Sequence, residues 1–388
     1  MKVSAKISSI QDPVIPVVGK LVADNPGTIS LGQGVVFYPP PSKVFLDIAK
    51  LDLSSSSINL YSPVGGIPLL LDKIKEKLRK DNSISIKEGR NSILVSSGAN
   101  MAFFNVLQSI VDYGDEVIIL SPYYFNYEMA IRMFSCNPVI VDSFGTEDLV
   151  YKRIESAITP KARAIVIISP NNPTGEVYSE EFLRKINTLC REHEIYHISD
   201  EAYEYFVYND RKHFSSGSIE GSEPYTISLF SMSKSYGMAG WRIGYTVMPD
   251  ALVSSLKKIQ DTNAICPNVL AQYAASYALE EGKSYCMDFL KILDQNRKLA
   301  LESLRSLGNK VEFKEPDGAI YFYLKVNCDL EPIALVKRLV EDYKVAVIPG
   351  SAFGSDNGCY LRLGFGAVTG DKFKEAIDRF YKGISSLT

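Results

Sequence analysis

AIVIISPNNPTGEVYSEEFLRKINTLCREHEIYHISD, residues 164–200, is the stretch that decides the fold class. Residues 164–169 form a short apolar run closed by Pro170, which reads as a buried strand. Residues 179–193 carry a helical pattern, and 196–200 are a second strand. The alternation continues outward in both directions. Residues 93–97 predict a strand and 101–111 a helix; 116–121, 226–231 and 243–248 predict further strands. Strands alternating with helices imply an α/β layered domain on a mostly parallel sheet. Ligands of such sheets bind at the carboxyl ends of the strands, so chemistry is sought in the segments that follow them.

From about residue 269 the pattern changes. One long helical stretch runs to 306. Short strands at 311–313, 320–326, 345–347 and 360–363 then surround a helix at 331–341, which predicts a smaller α+β domain. No internal repeat or low-complexity segment interrupts either part.

The composition fits a large globular chain. Of 388 residues, 46% are hydrophobic and 22% charged, enough to build an extensive core and to exclude a disordered or coiled-coil chain. Forty-two Lys plus Arg against 45 Asp plus Glu leave a net charge of −3, which argues against a binder of nucleic-acid backbone. No apolar run approaches the roughly 18 residues of a membrane-spanning helix. The first 20 residues, interrupted by Pro13 and Pro16, lack the layout of a signal peptide. Six cysteines scattered without a C-x-x-C pair predict reduced, mostly buried thiols and a cytoplasmic location.

Three motifs point elsewhere. His193-Glu-Ile-Tyr-His197 matches H-E-x-x-H, but zinc binding needs both imidazoles on one helix face, and here the helix ends where a strand begins. No metal site is expected. Ser231-Met-Ser-Lys234 with Ser355-Asp-Asn357 hints at a serine acyl hydrolase. K-T-G is absent, and S-x-x-K follows a strand where that mechanism wants it opening a helix. Gly32-Gln-Gly34 lacks the third glycine and the helix of a dinucleotide fingerprint.

Five segments agree with one another. They are Ser97-Gly98-Ala99-Asn100 at a strand-to-helix turn, Ser169-Pro-Asn-Asn172-Pro-Thr-Gly175, and Asp200-Glu-Ala-Tyr203. The fourth is Ser231-Met-Ser-Lys234-Ser-Tyr-Gly-Met-Ala-Gly-Trp-Arg242, and the fifth Gly358-Cys-Tyr-Leu-Arg362-Leu-Gly364. In that order, from Leu31 to Gly366, they resemble the class I/II aminotransferases, fold type I enzymes dependent on pyridoxal 5′-phosphate (PLP). The resemblance implies a large domain, residues 45–275, with a seven-stranded sheet between helices. It implies a small domain from residues 1–44 plus 276–388. It also implies a homodimeric enzyme of amino-acid metabolism that moves an α-amino group to a 2-oxo acid.

The residue types suit that chemistry. A lysine amine holds the cofactor's aldehyde as a Schiff base, and Lys234 is the candidate; near its ordinary pKa of about 10.4 it would be a poor base, so burial and neighbouring cations should lower it. A carboxylate must sit beside the ring nitrogen, and Asp200 closes a buried strand. By resemblance, Asn172 and Tyr203 reach the ring's 3′-oxygen and Tyr124 stacks on the ring. The phosphate would lie on Gly98, Ala99 and Asn100 at the helix start, with Ser231 and Arg242 completing the cradle. Arg362, in an apolar strand, would fork onto the substrate α-carboxylate, assisted by Asn172 and the backbone at Gly34. Tyr61 would reach the phosphate of the neighbouring subunit, making each site shared.

The loop Val35-Val-Phe-Tyr-Pro-Pro-Pro41 departs from the family's usual Pro-Asp or Glu-Pro, and Leu70-Leu71 stands where relatives often have Leu-Arg. An apolar, aromatic loop and no extra arginine predict a preference for neutral or aromatic amino acids, with 2-oxoglutarate as acceptor. The alternatives are a C–S β-lyase on the same scaffold, the serine hydrolase, and a PLP-binding regulator without turnover. A regulator would carry an appended helix-turn-helix, for which the segment ahead of Leu31 is too short.

Overall fold

The computed structural model describes residues 2–8 and 10–388. Among them lie thirteen strands: β1 (Ile29–Ser30), β2 (Asn91–Ser96), β3 (Glu116–Ser121), β4 (Asn137–Asp142), β5 (Ala162–Ile168), β6 (Tyr196–Asp200), β7 (Thr226–Ser231), β8 (Gly244–Pro249), β9 (Val311–Phe313), β10 (Tyr321–Val326), β11 (Val345–Ala346), β12 (Ile348–Pro349) and β13 (Cys359–Gly364). Seven form one sheet in the order β2-β8-β7-β6-β5-β3-β4. Every neighbouring pair is parallel except those made by β8, which runs against both β2 and β7.

This sheet is buried on both faces, which is why its central strands read as continuous apolar runs. Successive residues point to opposite sides: Ile119, Val166 and Ile168 enter one core cluster with Phe103 and Leu107. Ile118, Ile165 and Ile167 enter another with Phe182, Leu183 and Ile186. The latter three lie on the helix Glu180–Glu192, whose start is fixed by Ser179, accepting from the Phe182 N–H at 3.1 Å, and by Glu180 and Glu181 in the first turn.

A four-stranded antiparallel sheet, β12-β13-β10-β9, pairs Tyr323 with Arg362. A separate parallel pair, β1 with β11, joins Ile29 to Val345, tying an early segment to a late one.

One strand is not expected from the sequence, and two expectations need correction. Strand β4 carries no marked alternation because it is a half-exposed margin, and Pro138 sits there where its missing N–H costs nothing. The opposite margin, β2, is covered: Val95 N–H donates to the Gly65 carbonyl at 3.0 Å, and Gln260 donates to the Val95 carbonyl at 2.9 Å. The long helix Val269–Ser306 is two helices, because Gly282 adopts φ 66°, ψ −167° in the middle. Residues 345–347 divide between β11 and β12, which belong to different sheets.

Behind β6 and β7 lies a buried ion pair. Lys77 and Glu204 are 4% and 5% exposed and 2.5 Å apart, and Lys77 also donates to Asn82 at 2.8 Å. Asn82 donates in turn to Glu204 and Ser215. Breaking such a pair strands a charge in the interior. Lys77→Met is therefore expected to lower unfolding free energy by about 3–5 kcal/mol in urea titration. A loss below about 1 kcal/mol would show that the pair is dispensable.

Candidate active site

The carboxyl ends of β5, β6 and β7 and the turn after β2 open into one cleft of about 400 Å³. Its lining includes Gly34, Ala99, Asn100, Tyr124, Asn172, Asp200, Tyr203, Ser231, Lys234, Arg242 and Arg362. Ten of these come from segments around the large sheet and the loop after β1; Arg362 comes from β13, the middle of the small sheet.

Ser231 ends β7 and caps a single helical turn, Met232–Ser235, accepting from the Ser233 N–H at 3.1 Å. The S-x-x-K therefore does open a short helix, contrary to the sequence expectation. Residues 355–357 do not join it in the cleft. Lys234 projects from this turn, its amine donating to the Gly34 carbonyl and lying 6.0 Å from the Tyr203 ring centroid. Burial lowers its pKa to about 8, reinforced by the positive charges of Arg362 and Arg242 and opposed by Asp200.

Asp200 is buried at the end of β6. Its carboxylate accepts from the Tyr127 hydroxyl at 2.5 Å and from the Ala202 N–H at 2.9 Å. Burial nevertheless holds its pKa above the ordinary carboxylate range, with those two hydrogen bonds pulling down. Its buried carboxyl group is one that a cationic ring nitrogen would complete. Tyr203 shares a 2.6 Å hydrogen bond with the Tyr321 hydroxyl.

At the other end, the helix Ala99–Ile110 begins at Gly98, with φ 85° and no side-chain cap. Its first N–H groups are thus directed at the cleft without intrahelical partners. A Cβ on Gly98 would overlap the Arg242 guanidinium, so the glycine is what lets cation and helix start converge. Arg242, in the left-handed region at φ 55°, donates to the Ala239 carbonyl at 3.0 Å. Tyr124 is held over Asn100 by a 3.2 Å hydrogen bond.

Arg362 is buried. One amino group donates to Asn172 at 2.9 Å and the other to the Gly32 carbonyl at 2.7 Å. The guanidinium lies 4.3 Å from the Tyr321 ring centroid and 4.9 Å from that of Phe353, while its Nε has no partner. A buried cation with an unused donor, in a water-accessible cleft, suits a carboxylate ligand. These features together fit PLP: an amine of lowered pKa, a buried anion, a helix start with a guanidinium beside it, and a separate arginine for substrate.

Tyr61 lies outside the cleft, 78% exposed. Sequence reasoning missed Tyr127 and Tyr321, and the contributions of Ile15, Gln33 and Phe125 to the lining. Tyr127 stands one helical turn beyond Tyr124, a spacing that could have drawn attention to it. Tyr321 has no local signal. Of the decoys, His193 ends the helix Glu180–Glu192 and His197 lies within β6. His197 faces Asn187 at 3.1 Å, and burial drives its pKa down to about 3.

Lys234 should show its lowered pKa directly. In cofactor-free protein, peptide-mapped acylation of Lys234 is expected to rise through pH 8, and only the neutral amine reacts. Arg362→Leu removes a positive neighbour and should move the midpoint upward. A wild-type midpoint at the ordinary lysine value of about 10.4 would refute the electrostatic account.

Comparison with known proteins agrees with this geometry. The family described as aminotransferase class I and II matches residues 26–380. Aromatic aminotransferase ISS1 of Arabidopsis thaliana is 35% identical over 97% of this chain and 94% of its own length. Aspartate aminotransferase of Pyrococcus abyssi is 33% identical over 98% of each chain. The crystal structure of aromatic aminotransferase from Pyrococcus horikoshii superposes with a TM-score of 0.84 at 32% identity, over 94% of this chain and 98% of that one. A match of this length and identity makes the chain a member of the class I and II aminotransferases, the fold type I enzymes that transfer amino groups between amino acids and 2-oxo acids with PLP.

Proposed function

We propose that this aminotransferase takes aromatic or other neutral amino acids as donors and 2-oxoglutarate as acceptor, with Lys234 as its reactive amine. The observation that carries the proposal is the single lowered-pKa amine sharing a cleft with Asp200 and Arg362; the cleft's only other charged lining residue, among those described, is Arg242. The cleft's cations are Lys234, Arg242 and Arg362, and each has a task. Around them stand Ile15, Val35, Phe125 and Tyr321, which offer apolar and aromatic surface to a substrate side chain, with Gln33 as a neutral polar neighbour. The relative from Arabidopsis is named an aromatic aminotransferase, and the relatives' names favour amino-group transfer over the C–S lyase alternative.

PLP, when bound, supplies an electron sink for the substrate's Cα. The chain's residues do the rest. Lys234 would hold the cofactor through its aldehyde and, with its lowered pKa, could serve as the group that takes up and returns the proton at the substrate's Cα. Asp200 would hold a proton on the ring nitrogen. Asn172 and Tyr203 would hold the 3′-oxygen, and Tyr124 would cover the ring. The N–H groups of Ala99 and Asn100, with Gly98 allowing close approach, would hold the phosphate together with Ser231 and Arg242. Arg362 grips the α-carboxylate with Asn172 beside it, and Gly34 contributes its backbone.

The working unit is proposed to be a homodimer, with Tyr61 of each copy completing the other's phosphate site. Its exposure beside Leu60, also exposed, supports that reading. Two lobes, residues 45–275 and residues 1–44 plus 276–388, meet at the cleft in this proposal. The pairing of β1 with β11 supports joining the early and late segments. No helix among the described residues is long and apolar enough to cross a membrane. A cytoplasmic location is proposed with the scattered cysteines in mind, four of them buried.

Mixing holoenzyme with single amino acids and following loss of its visible band tests the substrate class. Phenylalanine and tyrosine should give kcat/KM about tenfold or more above aspartate. Reaction with aspartate alone would overturn the preference. In solution the enzyme should show twice the chain's mass by light scattering. Tyr61→Phe should weaken PLP retention about fivefold to tenfold without altering that mass, the loss of one charge-assisted hydrogen bond.

A further inference from the structure

We propose that Tyr38 is a positioning residue for Lys234, acting on the lysine's main chain. The proposal rests on Lys234 being the reactive amine. Tyr38 is buried, and its hydroxyl donates to the Lys234 carbonyl at 2.8 Å across 196 residues of sequence. That carbonyl ends a single helical turn, where it also receives the N–H groups of Tyr236 and Gly237. Burial pushes the Tyr38 phenol far above its ordinary pKa, so the hydroxyl remains a donor at every working pH.

The ring that carries this hydroxyl is fixed on three sides. It stacks on Phe289, centroids 4.2 Å apart at 11°, and meets Phe37 and Tyr285 edge-on. Tyr285 also donates to the Pro39 carbonyl at 2.6 Å. Beneath the loop, Gly237 adopts φ 63°, and a Cβ there would come within 2.5 Å of the Tyr38 carbonyl and 2.6 Å of that of Pro39. Loop and lysine turn are therefore in direct main-chain contact. Gly34, four residues before Tyr38, supplies the carbonyl that receives the lysine amine.

Lys234 is thus held at its main chain by Tyr38 and at its tip by Gly34. A lysine side chain has four flexible carbons, and fixing one end narrows where the other can go. Removing the main-chain anchor should leave cofactor and substrate binding intact and lower the rate at which the freed amine finds its proton-transfer position.

The test compares two variants of the holoenzyme. Tyr38→Phe keeps the stacked ring and deletes only the hydroxyl. Cys286→Ala deletes the other atom near that hydroxyl, Sγ at 3.6 Å, and leaves the bond to Lys234. Tyr38→Phe is expected to lower kcat about threefold to tenfold with KM for the amino donor unchanged. The visible circular dichroism of the bound cofactor should change with it, since its tilt follows the lysine tether. Cys286→Ala should leave both within about twofold of wild type, as a distant contact should. Unchanged kcat and dichroism in Tyr38→Phe would overturn the proposal, as would the same losses in Cys286→Ala. Borohydride reduction and peptide mapping in the same samples separates the two readings. A pyridoxyl label on a lysine other than 234 sinks the assignment of the amine and this proposal together. A label on Lys234 with unaltered kinetics sinks only the role of Tyr38.

Discussion

An amine whose pKa is lowered to about 8, in a cleft that also holds two guanidinium groups, is the constraint around which the rest of the molecule is arranged. Withdrawing Lys234 from water would not alone distinguish it from any buried lysine. Arg362 and Arg242 add their charge, and Asp200 opposes them more weakly. Each contributor arrives on a different element: β6 brings the carboxylate, the turn after β7 the amine, the approach to β8 one arginine and β13 the other. The parallel order of β5, β6 and β7 is what aims three successive strand ends at one place.

Burying Arg362 is costly, and its surroundings offset the cost in two ways. Asn172 and the Gly32 carbonyl take its terminal amino groups, and Tyr321 and Phe353 present ring faces to its plane. Tyr321 serves twice, since its hydroxyl also bonds Tyr203. One side chain at the start of β10 therefore connects Arg362 with Tyr203, three residues beyond the end of β6. Gly34 lies against the same hydroxyl, and a Cβ there would come within 2.5 Å of it. This is why a glycine in that loop is a steric requirement.

The parts of this arrangement that were legible in the sequence are those whose signal is local. Buried strands ending in Asp200, Ser231 and the Asn171-Asn172 segment announce themselves by an apolar run followed by polar residues, and the strand-to-helix turn at Gly98 does so by its small residues. Strand β4 escaped because it lies at a margin, where half its side chains face water and the apolar pattern fades. The break at Gly282 escaped because one glycine among good helix formers does not by itself end a helix. Tyr321 and Tyr127 escaped for another reason. Their partners lie 118 and 73 residues away, and the pairings exist only once the sheets have assembled; the spacing of Tyr127 from Tyr124 marks its place on the helix but not its partner.

The two margins of the large sheet have a consequence for how this protein behaves when concentrated. One is closed by the Gly65 carbonyl and the Gln260 amide; the other is interrupted by a proline and ends in the exposed Asp142. Neither offers the uninterrupted row of free peptide groups on which a foreign strand could grow. Clumping of the native molecule by edge-to-edge accretion is thereby discouraged, and fibrous or amorphous deposits would have to start from chains that have first lost this sheet.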